Sequence, residues 1–313
     1  MKLDSKTTAF VFPGQGSQVV GMGQDLAEKY PIAKHMFEQA DSILGLAISK
    51  IMWEGPESDL NDTVNTQPAL YLHSLAAFRT FSHLYPDFKP AALAGHSLGE
   101  LSALAASRAL SFDDGLRLVR KRGELMKRAG ELAPGSMAAI LGLDIPTLDK
   151  VCSETSSVRE IVQVANDNCP GQVVISGAKP AVERAMVAAK AAGAKRALPL
   201  AVSIAAHSPL MTSIQSEWTE AVNSAKFSPL QVQVIGNVHA APLTDESSAR
   251  ADLIAQMQSR VRWTESVKNL SARGITTFVE AGTGAVLAGL IKRIAEGAKS
   301  MSLGIPQDFE ALE

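Results

Sequence analysis

Residues 95–99 read Gly95-His96-Ser97-Leu98-Gly99, a Gly-x-Ser-x-Gly pattern set between two segments of opposite character. Ahead of it, Pro90-Ala91-Ala92-Leu93-Ala94 is a short apolar run suited to a buried strand. Behind it, 100–107 contains no Pro or Gly and is made of good helix formers. A chain that turns from strand to helix at a serine must hold that serine in strained backbone with small neighbours. Gly95 and Gly99 meet that need. The Ser97 hydroxyl then stands clear of the sheet, over a helix N-terminus that favours negative charge. Such a chain must contain a buried strand feeding a helix, and the geometry suits covalent acyl chemistry. A solvated serine in an ordinary loop is the competing reading; the flanking strand and helix argue against it.

The rest of the chain alternates strand-like and helix-like segments, which predicts an α/β layer architecture. Residues 9–12 read as a strand ending in Pro13-Gly14-Gln15-Gly16-Ser17. Helices are expected over 21–30 and 31–44, a polar connection over 59–65, and a long helix opening at Gln67-Pro68-Ala69 and reaching 85. Another follows over 113–129. From 134 the pattern becomes strand 137–143, helix 145–155, strand 161–165, turn 166–172, strand 173–177, helix 180–192 and strand 197–202. This βαββαβ order predicts a ferredoxin-like α+β subdomain of about 70 residues, 134–202, inserted into a larger unit. The larger unit, 1–133 and 203–313, is expected to be α/β-hydrolase-like with a parallel-rich sheet. It resumes with helix 209–225, strand 232–238, helices 249–257 and 263–273, strand 277–280 and helix 285–295.

Composition narrows the function classes. With a formal net charge of −2 over 313 residues, the chain has no global attraction for nucleic acid or anionic membrane. No stretch approaches the ~20 apolar residues of a membrane span. The segment Met1-Lys2-Leu3-Asp4-Ser5-Lys6 lacks the apolar core of a signal peptide, so a cytoplasmic setting is expected. Cys152 and Cys169 make neither a disulfide framework nor a zinc site, and no metal is expected. Nothing requires more than a monomer.

A serine hydroxyl is a poor nucleophile until a base removes its proton. Of the six histidines, His35, His73 and His83 fall within helical segments, and His96 adjoins Ser97 on a turn that points it elsewhere. His239 lies in a loop and remains open. His207 has the best setting: Ser208 reads as an N-cap and Pro209 as a first helical residue, which fixes His207 at a junction on the rim of a sheet. The developing oxyanion needs two backbone donors. Leu98, after the serine, supplies one. The glycine-rich loop after the first strand is the kind of loop that can supply the other; it carries no Gly-Lys-Ser/Thr, which argues against nucleotide binding, and a plain tight turn is its alternative.

Five motifs in order then resemble the acyltransferase family of fatty acid and polyketide synthesis, in particular malonyl-CoA:acyl carrier protein transacylases. They are Phe12-Pro13-Gly14-Gln15-Gly16-Ser17-Gln18, Gly95-His96-Ser97-Leu98-Gly99-Glu100, residues 118–126 around Arg122, Asn168-Cys169-Pro170-Gly171-Gln172-Val173-Val174, and His207-Ser208-Pro209-Leu210-Met211. The resemblance spans about 8–305. It implies ping-pong transfer of a malonyl group from malonyl-CoA, through an ester on Ser97 with His207 as base, to the phosphopantetheine thiol of acyl carrier protein, without a cofactor. It implies oxyanion donors at Gln15 and Leu98, an oxygen near Gln256 orienting the imidazole (Gln258 being the alternative), and supporting positions at Asn168 and His96. It assigns Arg122 to the malonyl carboxylate, for which a planar guanidinium offers two parallel donors that lysine lacks. From the residues alone, the favoured reading of Arg122 is one more solvated cation beside Arg117, Arg120, Lys121 and Lys127. Lys195-Arg196 and Lys292-Arg293 are candidate contacts for an acidic carrier. Ala206, where related polyketide enzymes of malonyl type have an aromatic residue, leaves room for bulkier acyl units. A serine esterase, a polyketide or malonate decarboxylase transacylase, and an inactive binding module are the rival readings.

Overall fold

A computed structural model describes residues 3–312; Met1 and Lys2, the head of the segment read for a signal sequence, and Glu313 lie outside it. The chain is mixed α/β with ten strands among the described residues: β1 (Thr8–Phe12), β2 (Ala92–Gly95), β3 (Gly135–Leu141), β4 (Val162–Cys169), β5 (Gln172–Ala178), β6 (Arg196–Pro199), β7 (Val234–Ile235), β8 (Pro242–Leu243), β9 (Thr277–Ala281) and β10 (Lys299–Leu303). Six form one sheet in the order β10-β9-β1-β2-β7-β8, parallel except where β8 pairs antiparallel with β7. The other four form an antiparallel sheet in the order β4-β5-β3-β6.

β1 explains why the large sheet is covered on both faces. Its five residues, Thr-Ala-Phe-Val-Phe, are all buried, the continuous apolar run of a central parallel strand. Alternate side chains face opposite ways. Phe10 and Phe12 meet the helix Thr63–Leu84, where Phe10 packs edge-on against Phe78 at 5.3 Å between ring centroids. Ala9 and Val11 face a second core with Trp263, Val267 and Ile291. In register with β1, β2 carries the chain to Gly95 opposite Phe12.

Several elements depart from the expected boundaries, each for a local reason. The connection 59–65 is largely helical: Glu57–Asn61 is a helix, and the long helix starts at Thr63 because Asp62 caps it by accepting from the Val64 N–H at 3.1 Å. Pro68 therefore lies inside this helix and leaves the Val64 carbonyl without its usual donor. Arg120 replaces that donor through Nη1 at 3.3 Å. The expected turn at 166–172 is mostly strand. Its polar residues find partners: the Asp167 N–H donates to the Val261 carbonyl at 2.9 Å, and Thr264 Oγ1 to Asp167 Oδ1 at 2.6 Å. β6 stops at Pro199, and a 3-10 turn, Pro209–Ile214, precedes the helix Gln215–Ser224. The strand expected over 232–238 shortens to Val234–Ile235, and β10 and the helix Pro306–Glu310 follow where no element was expected. No helix among the described residues is long and apolar enough to cross a membrane.

The smaller sheet meets the rest of the chain along β4, where Asn166 bridges to Val261. Gln163 reaches across to donate to the carbonyls of His207 at 2.7 Å and Gln258 at 2.9 Å. The cleft between them is where the β2 turn opens. That turn tolerates no added bulk: a Cβ on Gly95 would lie 1.9 Å from the Gly99 carbonyl, and one on Gly99 would lie 2.0 Å from the Phe12 oxygen. Both obstacles are backbone. We therefore predict that Gly99→Ala lowers stability by about 3 kcal/mol or more, measured by denaturant unfolding; a loss under about 1 kcal/mol would show that the β1–helix contact can open.

Candidate active site

Ser97 sits at the tip of the turn with φ 53, a left-handed conformation unusual for a residue with a side chain. The helix Gly99–Ala106 begins immediately after it. The strain is held by hydrogen bonds at the turn: the Ser97 N–H donates to Asn237 Oδ1 at 2.7 Å, and Asn237 Nδ2 donates to the Gly95 carbonyl at 2.7 Å. The His96 N–H donates to the Phe12 carbonyl at 3.0 Å.

Of the two histidines left open, His207 reaches the serine and His239 is exposed away from it. His207 Nε2 lies 2.7 Å from Ser97 Oγ, and its Nδ1 lies 2.8 Å from the Gln256 carbonyl oxygen. A carbonyl can only accept, so the proton sits on Nδ1 and Nε2 is free to accept from the hydroxyl. Ser208 caps the following 3-10 turn, as expected, by accepting from the Leu210 N–H at 3.3 Å. The orienting oxygen is therefore the backbone of Gln256. Gln258 is engaged elsewhere, accepting from Thr212 Oγ1 at 3.0 Å.

The glycine-rich loop lies against the turn, close enough that a Cβ on Gly14 would meet the His96 carbonyl at 2.6 Å. Neither the Gln15 nor the Leu98 N–H has an acceptor among the described residues. Both residues line one cavity of about 390 Å³ with Ser97, Arg122 and His207. Asn168 and His96 line it too, joined by a 2.8 Å contact between Asn168 Oδ1 and His96 Nε2. Met126, Met137, Val174 and Ile204 make an apolar wall in which Ala206 adds little bulk.

Arg122 separates itself from its charged neighbours on the helix Phe112–Leu132. Arg117, Arg120, Lys121 and Lys127 each pair with a carboxylate, whereas Arg122, only 2% exposed, has no ion pair among the described residues. Its guanidinium donates to Gln67 Oε1 at 2.9 Å, Ser97 Oγ at 3.1 Å and Gln256 Oε1 at 2.9 Å. Its Nε–H is buried without an acceptor. Burial lowers its pKa to about 10, which leaves it charged at neutral pH. An isolated buried cation beside a cavity is costly and favours an anionic guest.

Sequence reasoning missed Gln67, Asn237 and Asp252 and gave Glu100 no role. Asn237 carries no signal beyond being a polar residue after the apolar Val234-Ile235. Of the basic pairs, Arg293 is tied to Gln172 Oε1 at 2.7 Å and to the Pro170 carbonyl at 3.0 Å, while Lys195, Arg196 and Lys292 are exposed.

The model of the acyl transferase domain matches residues 9–305. The chain belongs to the acyl transferase family. Among its relatives in that family, the malonyl CoA-acyl carrier protein transacylase of Bacillus subtilis is 45% identical, over 96% of this chain and 95% of the relative. The acyl carrier protein S-malonyltransferase of Vibrio cholerae has a similar structure at TM-score 0.95 and 43% identity, covering 98% of this chain and all of that one. A malonyl-transacylase solved with a type II polyketide synthase acyl carrier protein superposes at TM-score 0.93 with 40% identity, over 97% of each chain.

Electrostatics fix the protonation state of this acyl transferase site. Burial, and then the Arg122 charge, push the His207 pKa from 6.5 down to about 3, against the opposing pull of the Gln256 carbonyl. The imidazole is thus a neutral proton acceptor across the physiological range. As pH falls from 6.5 toward 3, the unfolded chain takes up a proton that the folded site refuses, so stability is lost over that window. We predict that the His207 imidazole shows no titration between roughly pH 5 and 8 by NMR of the labelled ring. A midpoint near 6.5 would contradict this assignment.

Proposed function

We propose that this chain transfers the malonyl group of malonyl-CoA to the phosphopantetheine thiol of acyl carrier protein for fatty acid synthesis, through a malonyl ester on Ser97. The observation that carries the reading is the buried, carboxylate-free guanidinium of Arg122 touching the serine hydroxyl. An esterase has no use for a cation there, whereas malonyl brings a carboxylate that must be paired.

In the first half-reaction Ser97 Oγ attacks the thioester carbon as its proton passes to His207 Nε2. The carbonyl oxygen becomes an oxyanion held by the N–H groups of Gln15 and Leu98. The C–S bond then breaks, and CoA leaves with the proton from His207. In the second, the carrier thiol gives its proton to His207 and attacks the ester carbon. The C–O bond breaks and Ser97 recovers its hydrogen. The Gln256 carbonyl takes the place of an acidic third member, holding the imidazole in one tautomer. When the malonyl carboxylate neutralises Arg122, the largest charge depressing His207 is offset, so the right substrate makes its own base stronger. His96 and Asn168 shape the cavity beside the thioester.

We also read the large unit, 1–133 and 203–313, as α/β-hydrolase-like, supported by its parallel strands and the serine turn after β2. The inserted unit, 134–202, is read as ferredoxin-like, supported by its βαββαβ order and antiparallel sheet. Transfer to a polyketide carrier is the second reading, favoured by the likeness to a transacylase solved with such a carrier; comparing rates on carriers from both pathways separates the two.

Brief incubation with malonyl-CoA followed by mass spectrometry should give one malonyl adduct, on Ser97, and none in Ser97→Ala. Arg122→Ala should lose roughly 2–5 kcal/mol of transition-state stabilisation for malonyl transfer and much less for acetyl, as expected when one half of a buried charge pair is removed. Equal losses in kcat/KM on the two substrates would refute the role given to Arg122.

A further inference from the structure

A buried acid pair lies behind the serine turn and takes no part in the steps above. Glu100, in the first turn of the helix Gly99–Ala106, is fully buried, and Asp252, on the helix Glu246–Gln256, is nearly so. Both accept the same backbone N–H, that of Asn237, Glu100 Oε2 at 3.1 Å and Asp252 Oδ2 at 3.0 Å, which sets the two carboxyls side by side. Two touching carboxyls in a dry interior cannot both ionise, so one keeps a proton. The surrounding donors indicate which. The Asp252 oxygens accept the N–H groups of Asn237 at 3.0 Å and Val238 at 3.3 Å. Glu100 Oε2 accepts from the Asn237 N–H at 3.1 Å and Gln256 Nε2 at 2.8 Å, but Oε1 receives no N–H or O–H donor among the described residues. Oε1 is therefore the oxygen left to carry a proton. Burial and the Asp252 charge both hold the Glu100 carboxyl well above the usual range. The other charged or titratable side chains near the pair are Arg122, beyond Gln256, and His239, near Asp252.

Two amides rest on that single Glu100 oxygen. Gln256 donates through Nε2 to the Ser97 carbonyl at 3.0 Å, accepts Arg122 through Oε1, and accepts His207 through its backbone. Asn237 clamps the turn at Ser97 and Gly95. Every group that acts on the acyl carbon or its carboxylate is thus one or two hydrogen bonds from Glu100, except the Gln15 N–H.

We propose that Glu100 is a positioning residue for acyl transfer: as a neutral acid it donates to Asp252 and, through Oε2, holds the Asn237 backbone and the Gln256 amide that set the serine, the base and the guanidinium. The inference rests on the function proposed above. Glu100→Gln keeps one donor and one acceptor in the same shape. Its rate of malonyl-Ser97 formation should stay within about threefold of the wild-type chain. Glu100→Leu orphans both amides, and its acylation rate should fall about tenfold to a hundredfold with KM for malonyl-CoA nearly unchanged. Infrared difference spectra at neutral pH should show a protonated-carboxyl carbonyl band in the wild-type chain that Glu100→Gln lacks. A slow Glu100→Gln, a fast and folded Glu100→Leu, or no such band would each overturn the proposal. Should Glu100→Leu not fold, the glutamine variant and the band still decide. A wild-type chain that forms no adduct defeats the functional reading instead, and the band alone then judges the acid pair.

Discussion

A positive charge without a negative partner among the described residues governs this site. Arg122 is enclosed by Gln67, Gln256 and Ser97, which offer it dipoles but no carboxylate. Amide and hydroxyl oxygens satisfy part of the guanidinium and leave its Nε–H without an acceptor among the described residues. Such an arrangement is stable only because helix packing fixes the side chain, and it stores a preference for an anion of matching shape. The same charge depresses the basicity of His207, so under the proposed function substrate selection and base strength are two effects of one buried group.

The remaining geometry keeps that charge, the hydroxyl and the imidazole within contact of one another although they come from three distant segments. The turn after β2 supplies Ser97, the helix Phe112–Leu132 supplies Arg122, and the return from the inserted unit supplies His207 at φ 57. Gln256 touches all three, by backbone and side chain alike. Two residues in left-handed backbone within one site are a local strain that the surrounding hydrogen bonds must hold.

Legibility in the sequence followed the range of the interactions. Ser97 was readable because strand, turn and helix are contiguous, and His207 because Ser208-Pro209 is a local cap signal. The βαββαβ order was readable because its periodicity is local too. Arg122 could not be told from Arg120 or Lys121 by pattern, since what separates them is the absence of an acid across the fold. Asn237 was invisible for the same reason: its partners at 95, 97 and 100 are more than 130 positions away. The turn expected over 166–172, which contracts to Pro170-Gly171, is the reverse case. Asn-Asp-Asn is turn chemistry in isolation, but pairing with Val261 and Thr264 keeps it extended, and Asn168 reaches His96 as a result.

Gln163 gives the inserted unit a part in the chemistry that its position at the rim conceals. One amide on β4 grips the carbonyl of His207 and that of Gln258, two residues past the oxygen that orients the imidazole. Chimeras that exchange this unit between related enzymes would therefore import a new seat for the base along with a new cleft wall. Recombination breakpoints that keep β4 together with 203–208 and 256–258 from one parent preserve the seat; breakpoints that divide them unhitch it.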